Sequence, residues 1–429
     1  MFLQKLRIHN YKSLRNVCFT PEPFAALIGP NASGKSNFAD AVHFLSEVYE
    51  HGLETAIARK GGYENIAFRK QRRTTAPLDF EVTIQLTGTD IFSDFFSRKP
   101  LSYAKEQIVQ LTHSFSFKAQ GTDIKAAFKV SDESLTVSLA PSNTKKDGYI
   151  KDYVRLSRIQ SQCFELTVLE DNAFSKEFEK HWSFFNDFDE TPYSEQSLLL
   201  RPFSPHKYLF PFIRAVSRFK VYQFSPSSCR EPAAPTPNPE LEHSGKNLPA
   251  LIDWLQKNHP KAWEQVTAEM QDILQGLNQI SLQYLHTKAL GLFFEEEGFG
   301  RSWNVDEISD GTIQTLAILA ASADPRTSLL LIEEPENSVH PWIVRMLVER
   351  LKKVSKTKNV IVTSQSPVLV DELSPREVWI VARQNGETQI RQLTDIDPLI
   401  EDHWKAGKYQ LSDFLDSGLV PQVVPGGIF

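Results

Sequence analysis

Eight consecutive residues, Gly29-Pro30-Asn31-Ala32-Ser33-Gly34-Lys35-Ser36, have the spacing of a phosphate-binding loop. Successive backbone N–H groups in such a loop turn inward, and the helix that follows presents a partial positive charge at its N-terminus. Gly29 and Gly34 permit backbone geometries closed to other residues. Lys35 is placed to reach β- and γ-phosphates, and the Ser36 hydroxyl to hold Mg²⁺. A second group, Glu333 and Glu334, ends the apolar run Leu329-Leu330-Leu331-Ile332. The first carboxylate at a strand's end can bind Mg²⁺ directly or through water. The second can orient an attacking water as general base. Taken alone, a solvated acidic turn explains the pair equally well.

Two further stretches carry polar groups at element ends. Ile308-Ser309-Asp310-Gly311-Thr312 opens an apolar helix, so Ser309 and Gly311 could offer a hydroxyl and N–H groups to an anion. One ATP needs only one phosphate loop, so a second device suggests a composite site. An ordinary cap by Ser309 or Asp310 is the commoner meaning of this spacing. Thr363-Ser364-Gln365-Ser366-Pro367 follows an apolar run, where small polar side chains can sense a ligand, although a plain strand exit is commoner.

The elements that must position these residues follow from periodicity. Leu6–His9, Val17–Phe19 and Pro23–Ile28 are predicted strands, and Phe38, Val42, Leu45 and Tyr49 predict a helix from Ser36 to about Ile57. From Leu78 to about Leu169 the alternation in Phe80–Leu86, Leu135–Leu139 and Phe164–Val168 predicts antiparallel strands. Helices are expected over Ala173–Phe188 and Phe210–Phe219, then a strand at Lys220–Phe224. The five prolines between Ser225 and Pro239 exclude regular helix or central strand there. Leu248–Leu277 reads as helix with a break at Pro260, followed by a hairpin around Glu295–Gly300. Thr312–Ala321 and Trp342–Lys353 read as helices, alternating with apolar strands at Thr327–Ile332, Asn359–Thr363 and Val378–Val381. That alternation implies a parallel sheet covered on both faces.

The 429 residues, 41% apolar and 23% charged, describe an ordinary globular chain of two or three domains. A net charge of −6 argues against a whole-surface nucleic-acid binder. The three cysteines are far apart and form no metal or redox spacing, which points to a reducing compartment. No apolar run reaches the roughly 20 residues of a membrane span, so a soluble, cytoplasmic protein is expected. Arg69-Lys70-Gln71-Arg72-Arg73 could touch nucleic-acid phosphate, but a solvated basic loop is the commoner case.

In order, these motifs resemble the ABC-type ATPases of the SMC, RecF and OLD-nuclease class, and especially its stand-alone ATPases, many of them bacterial defence components. Leu6–Leu14 is similar to the first strand of that class, and Lys12 and Ser13 within it become ATP-binding candidates. Asn37 extends the Gly29–Ser36 loop. Glu333-Glu334-Pro335-Glu336-Asn337-Ser338-Val339-His340-Pro341 is similar to its Walker B and D-loop, and Ser309-Asp310-Gly311 to its signature. His243–Leu248 is similar to a segment preceding the signature. The resemblance implies an α/β ATPase head with mixed and parallel sheets flanked by helices, plus an α+β insertion. Residues 1–77 would be the N-terminal part of the head, 78–225 the insertion, 226–300 the proline-rich loop and a helical segment, and 301–429 the C-terminal part.

It also implies a homodimer, or a higher oligomer, sandwiching ATP and Mg²⁺. Ser309, Asp310 and Gly311 would act on the partner's nucleotide, with Asn337 and His340 near the seam. Glu334 and Gln365 would be catalytic, and Ser36 and Glu333 the metal ligands. The switch position is usually His in this class; Gln365 can hydrogen-bond but not carry a proton, which suggests slow or regulated turnover. Gln71 and Gln85 are the candidates for the Q-loop contact. The expected function is a dimerising ATP switch or sensor in anti-phage defence with a separate effector protein. A DNA-binding, RecF-like repair ATPase is the alternative. An OLD-type nuclease is disfavoured, because about sixty residues after Pro367 leave no room for a further domain.

Overall fold

Strands buried on both faces place the motifs. The computed structural model describes residues 1–68, 76–87, 108–121, 127–140, 151–160, 163–171, 175–176, 178–180, 196, 198, 209–274, 276–298, 301–407 and 410–416. A hairpin of β1 (Phe2–Tyr11) and β2 (Leu14–Phe19) precedes β3 (Phe24–Ile28) and the helix Lys35–His51. Five antiparallel strands follow: β4 (Leu78–Thr87), β5 (Ile108–Ala119), β6 (Phe128–Ala140), β7 (Lys151–Gln160) and β8 (Cys163–Val168). Helix Phe210–Ser217 leads into β9 (Phe219–Tyr222). Helices Leu248–Asn258 and Pro260–Ile273 precede a small sheet of β10 (Leu277–Tyr284), β11 (Leu290–Glu296) and β12 (Ser302–Asn304). Then come helix Asp310–Ala323, β13 (Leu329–Glu333), helix Pro341–Val354, β14 (Asn359–Ser364), β15 (Val378–Gln384) and β16 (Glu387–Gln392).

The central sheet runs β16-β15-β3-β14-β13-β9, parallel except for the edge strand β16. Its strands divide between two cores. Leu329 and Leu331 of β13 join one core, while Leu330 and Ile332 join the other. Ala25 and Leu27 of β3 likewise oppose Phe24, Ala26 and Ile28. The first core also holds helix Lys35–His51 and the inner face of a seven-stranded antiparallel sheet, ordered β2-β1-β4-β5-β6-β7-β8. The second holds the helices between 248 and 354. Burial on both faces is why the central strands are continuously apolar, whereas β1 alternates, with Leu6 and Ile8 inward and the exposed Arg7 outward.

Several expectations are corrected. The strands of the segment 78–225 do not form a sheet of their own. Its strands β4–β8 extend the sheet begun by β1 and β2, with Leu6 opposite both Phe19 and Val82, and its end supplies β9 to the central sheet. The helix predicted to reach Ile57 stops at His51, because Gly52 at φ 89° ends it, and Leu53–Arg59 starts afresh. The proline-rich stretch contains one helical turn, Pro226–Cys229, with Pro226 in the first turn, where a missing N–H does no harm. Helix ends at Ile273, and Leu277 opens β10. Arg69–Arg73, Gln71 and most of Ala173–Phe188 lie outside the described residues.

A charged row crosses the first core. The Tyr49 hydroxyl lies 2.6 Å from His113 Nδ1, His113 Nε2 lies 2.9 Å from Glu133 Oε1, and Arg158 Nη2 lies 2.7 Å from Glu133 Oε2. The side chains of His113 and Glu133 are fully buried, and that of Arg158 is 2% exposed. The row ties the helix after the phosphate loop to β5, β6 and β7. Among the described residues, no helix is long and apolar enough to cross a membrane.

Candidate active site

Three parallel strands deliver the chemistry to one edge. β3 ends in the Gly29–Ser36 loop, its neighbour β14 in Ser364-Gln365, and the next strand β13 in Glu333-Glu334. Ligands bind at the C-terminal edge of such sheets. The loop is set by close approach. A Cβ on Gly29 would lie 2.0 Å from the Val381 carbonyl oxygen of β15. Gly34 has φ 114°, and a Cβ there would lie 2.0 Å from Thr388 Oγ1 of β16. That hydroxyl donates to the Ser33 carbonyl at 2.9 Å and pairs with Ser13 Oγ at 2.7 Å. Asn37 Nδ2 donates to Ser13 Oγ at 2.6 Å. Ser13 therefore braces the loop from behind.

Lys35 is buried, and its ammonium donates to the carbonyls of Gly29 at 2.6 Å and Pro30 at 3.1 Å. Burial lowers its pKa, while Glu334, Glu336 and Glu333 raise it in opposition. The loop lysine and the acidic strand end thus share one electrostatic site. Lys12 is committed elsewhere, 2.5 Å from Asp40 Oδ2. Burial would raise the Asp40 pKa, yet hydrogen bonds from Lys12, Lys60 and Tyr11 together hold it below the usual carboxylate value.

Glu333 is buried at the end of β13. Glu334 sits at φ 46° and donates its N–H to the Thr363 carbonyl at 2.9 Å. Gln365 Nε2 donates to Glu334 Oε1 at 3.1 Å and to Asn31 Oδ1 of the loop at 2.7 Å. Asn337 Nδ2 donates to Glu334 Oε2 at 2.9 Å. Sequence reasoning gave no role to Glu336, which accepts from Ser364 Oγ at 2.5 Å and Gln365 N–H at 3.2 Å. Burial raises its pKa, against those hydrogen bonds. The signal was present, as a third carboxylate in Glu333-Glu334-Pro335-Glu336.

The residues fit a nucleotide with Mg²⁺. Ser33 Oγ and Glu336 Oε2, both in these motifs, are among the buried polar atoms of the described residues that have no protein partner. The loop excludes side chains where Gly29 and Gly34 stand, and Ser36 is exposed at the helix start beside the carboxylate edge. Gln85 is not gathered here, because it pairs with Phe2 at the end of β1 remote from Lys12.

The Ser309-Asp310-Gly311 segment stands apart. The Ser309 hydroxyl accepts from Thr312 N–H at 3.3 Å, capping helix Asp310–Ala323. Among the described residues, no recorded hydrogen bond or ion pair joins Ser309, Asp310 or Gly311 to the phosphate loop. A Cβ on Gly311 would lie 2.4 Å from the Ser338 carbonyl oxygen, so this segment is packed on the Asn337–His340 turn. His340 caps the helix Pro341–Val354, accepting from Trp342 N–H at 3.2 Å. Arg230, from the proline-rich stretch, fastens the segment. It donates to the Ile308 carbonyl at 2.7 Å and pairs with Asp310 Oδ1 at 2.7 Å. Nothing in the sequence marks Arg230. Arg230→Ala is expected to lower ATP turnover about tenfold while leaving nucleotide affinity near wild type, because it loosens 308–310 without touching the loop. Steady-state turnover and equilibrium nucleotide binding check this.

The model of a family described as "AAA domain, putative AbiEii toxin, Type IV TA system" matches residues 24–371. The DNA replication and repair protein RecF of Acaryochloris marina (strain MBIC 11017) is 30% identical over 92 residues, 20% of this chain and 24% of that protein. This chain therefore aligns with only about a quarter of that relative's length. The crystal structure of an SMC head bound to the C-winged helix domain of ScpA is similar with a TM-score of 0.50 at 12% identity, over 91% of this chain and 98% of that one. The SMC head domain from Thermotoga maritima has a TM-score of 0.41 at 13% identity, over 91% and 99% of the two chains.

Proposed function

Because the chain belongs to the family described as AAA domain, putative AbiEii toxin, Type IV TA system, with the SMC- and RecF-like ABC-type ATPase fold, we propose that it is an ATP-hydrolysing switch completed by a second copy of itself. Lys35 and the N–H groups of the loop grip the phosphates. Ser36 and Glu333 would hold Mg²⁺, which supplies charge neutralisation on the phosphates. Glu334 orients the attacking water, and Gln365, hydrogen-bonded to both Asn31 and Glu334, couples the loop to that base. Gln365 cannot relay a proton, which fits slow or regulated turnover.

The observation that carries the dimer is the exposed Ser309–Asp310 helix start, held by Arg230 and Ser338 but tied to no phosphate loop of its own chain among the described residues. It serves as the device for a nucleotide on another copy. Membership of a family described by a putative AbiEii toxin is compatible with a role in which the ATP state is passed to a separate effector protein in defence against phage. The RecF match equally supports DNA as the target, and retention of labelled duplex by the ATP-bound form separates the two.

A mixing experiment tests the composite site. Lys35→Ala and Ser309→Arg are each expected to be inactive. Mixed in equal amounts, they should recover about a quarter of wild-type turnover, the share of intact sites when two copies pair at random. No recovery on mixing, with both variants folded, sinks the shared-site reading.

A further inference from the structure

Glu336 performs none of the steps assigned above. Its carboxylate reaches the end of the neighbouring strand β14 instead. One oxygen, Oε1, accepts from Ser364 Oγ at 2.5 Å and from Gln365 N–H at 3.2 Å. Ser364 is fully buried, and its Oγ also accepts from Ser366 N–H at 2.9 Å, which draws the chain into a tight turn around Gln365. The Gln365 side chain leaves that turn to donate to Asn31 Oδ1 and Glu334 Oε1. Glu336 itself stands on a fixed turn: Asn337 N–H donates to the Glu334 carbonyl at 3.1 Å, and Val339 N–H to the Glu336 carbonyl at 3.0 Å. It therefore holds from behind the backbone of the residue that bridges the base and the loop.

A stabilising role explains this carboxylate poorly. Its other oxygen, Oε2, is buried and has no protein partner. Burial raises the Glu336 pKa, the bonds from Ser364 and Gln365 oppose that rise, and the nearby Glu334 adds to it. A half-satisfied buried carboxyl costs stability that an apolar side chain would not. Breaches of this kind concentrate at functional sites. Gln365, for its part, is exposed, so hydrogen bonds rather than burial must set its position.

We infer that Glu336 is a positioning residue for ATP hydrolysis: by accepting from Ser364 Oγ and Gln365 N–H, it holds Gln365 where one amide nitrogen meets Glu334 and the phosphate loop together. The inference rests on the ATP-switch reading and adds to it a residue that governs turnover without touching the nucleotide. The geometry uses Glu336 as a hydrogen-bond acceptor, whereas Glu334 is used for its charge.

Steady-state ATP turnover and calorimetric ATP binding by the full chain test it. Glu336→Ala is expected to lower turnover about 10- to 100-fold, the scale for a misplaced group at a reacting centre, with ATP affinity near wild type. Glu336→Gln restores an acceptor and should recover most of that loss. In a Gln365→Ala background, Glu336→Ala should lower turnover no further, because nothing remains to be positioned. A purely structural role would lower both backgrounds alike. Ser364→Ala removes the same bond from the donor side and is read identically should Glu336→Ala lose the wild-type melting profile. Wild-type turnover in Glu336→Ala, an equal loss in both backgrounds, or Glu336→Gln no better than Glu336→Ala overturns the inference and leaves the ATP-switch reading standing. A wild-type chain that hydrolyses no ATP overturns both.

Discussion

Glu334→Gln is expected to lower ATP turnover by about 10²- to 10⁴-fold while leaving ATP affinity intact, the span for loss of a positioned general base. The argument is geometric. Both carboxylate oxygens of Glu334 accept hydrogen bonds, from Gln365 and Asn337, so the group is aimed before any substrate arrives. Its φ of 46° is unfavourable for a residue with a side chain, and the N–H bond to the Thr363 carbonyl holds it there. Glutamine keeps this shape but removes the charge that polarises water. With ATP and Mg²⁺ the variant should therefore accumulate as a species of twice the monomer mass in light scattering. Unchanged turnover removes Glu334 from the role given to it. A monomer under those conditions removes the sandwich.

The second large effect is on stability. Glu133→Ala should lower the unfolding free energy by about 3–5 kcal/mol, the range for breaking a buried ion pair from one side. Arg158 would keep its charge at 2% exposure with the Glu133 carboxylate gone, and His113 would lose its Nε2 partner. A triple change to His113→Phe, Glu133→Leu and Arg158→Met should restore most of that loss, because an apolar row of similar volume bears no desolvation penalty. Urea midpoints measure both. If Glu133→Ala shifts the midpoint no more than an exposed substitution does, the row is not a paired buried network. Tyr49 makes the test informative about function, since it lies on the helix that begins at Lys35.

What could be read from the sequence was whatever local chemistry dictates. Gly29–Ser36 announces its loop because only glycine satisfies the contacts with Val381 and Thr388. Phe24–Ile28 and Leu329–Ile332 read as strands covered on both sides because consecutive residues enter opposite cores. Partnership across long distances was not readable. The alternation in Phe80–Leu86 gives a strand, but nothing in it says that Val82 pairs with Leu6. Thr388 and Arg230 brace the loop and the Ser309 segment from distant sequence positions, through contacts that any surface threonine or arginine could have made. Glu336 was visible, but its burial against Ser364 depends on how β13 and β14 are paired.

The position of β3 has a consequence for synthesis. It lies between β14 and β15, so the apolar strand Phe24–Ile28 emerges from the ribosome long before either neighbour exists. At about 5–20 residues per second, Asn359 follows Ile28 by roughly 17 to 66 seconds. During that interval the stem of the loop has no sheet to enter. The nascent chain must shelter it against its own first helix and hairpin, or on a chaperone, and nucleotide-binding competence is acquired only after β14 and β15 have been made.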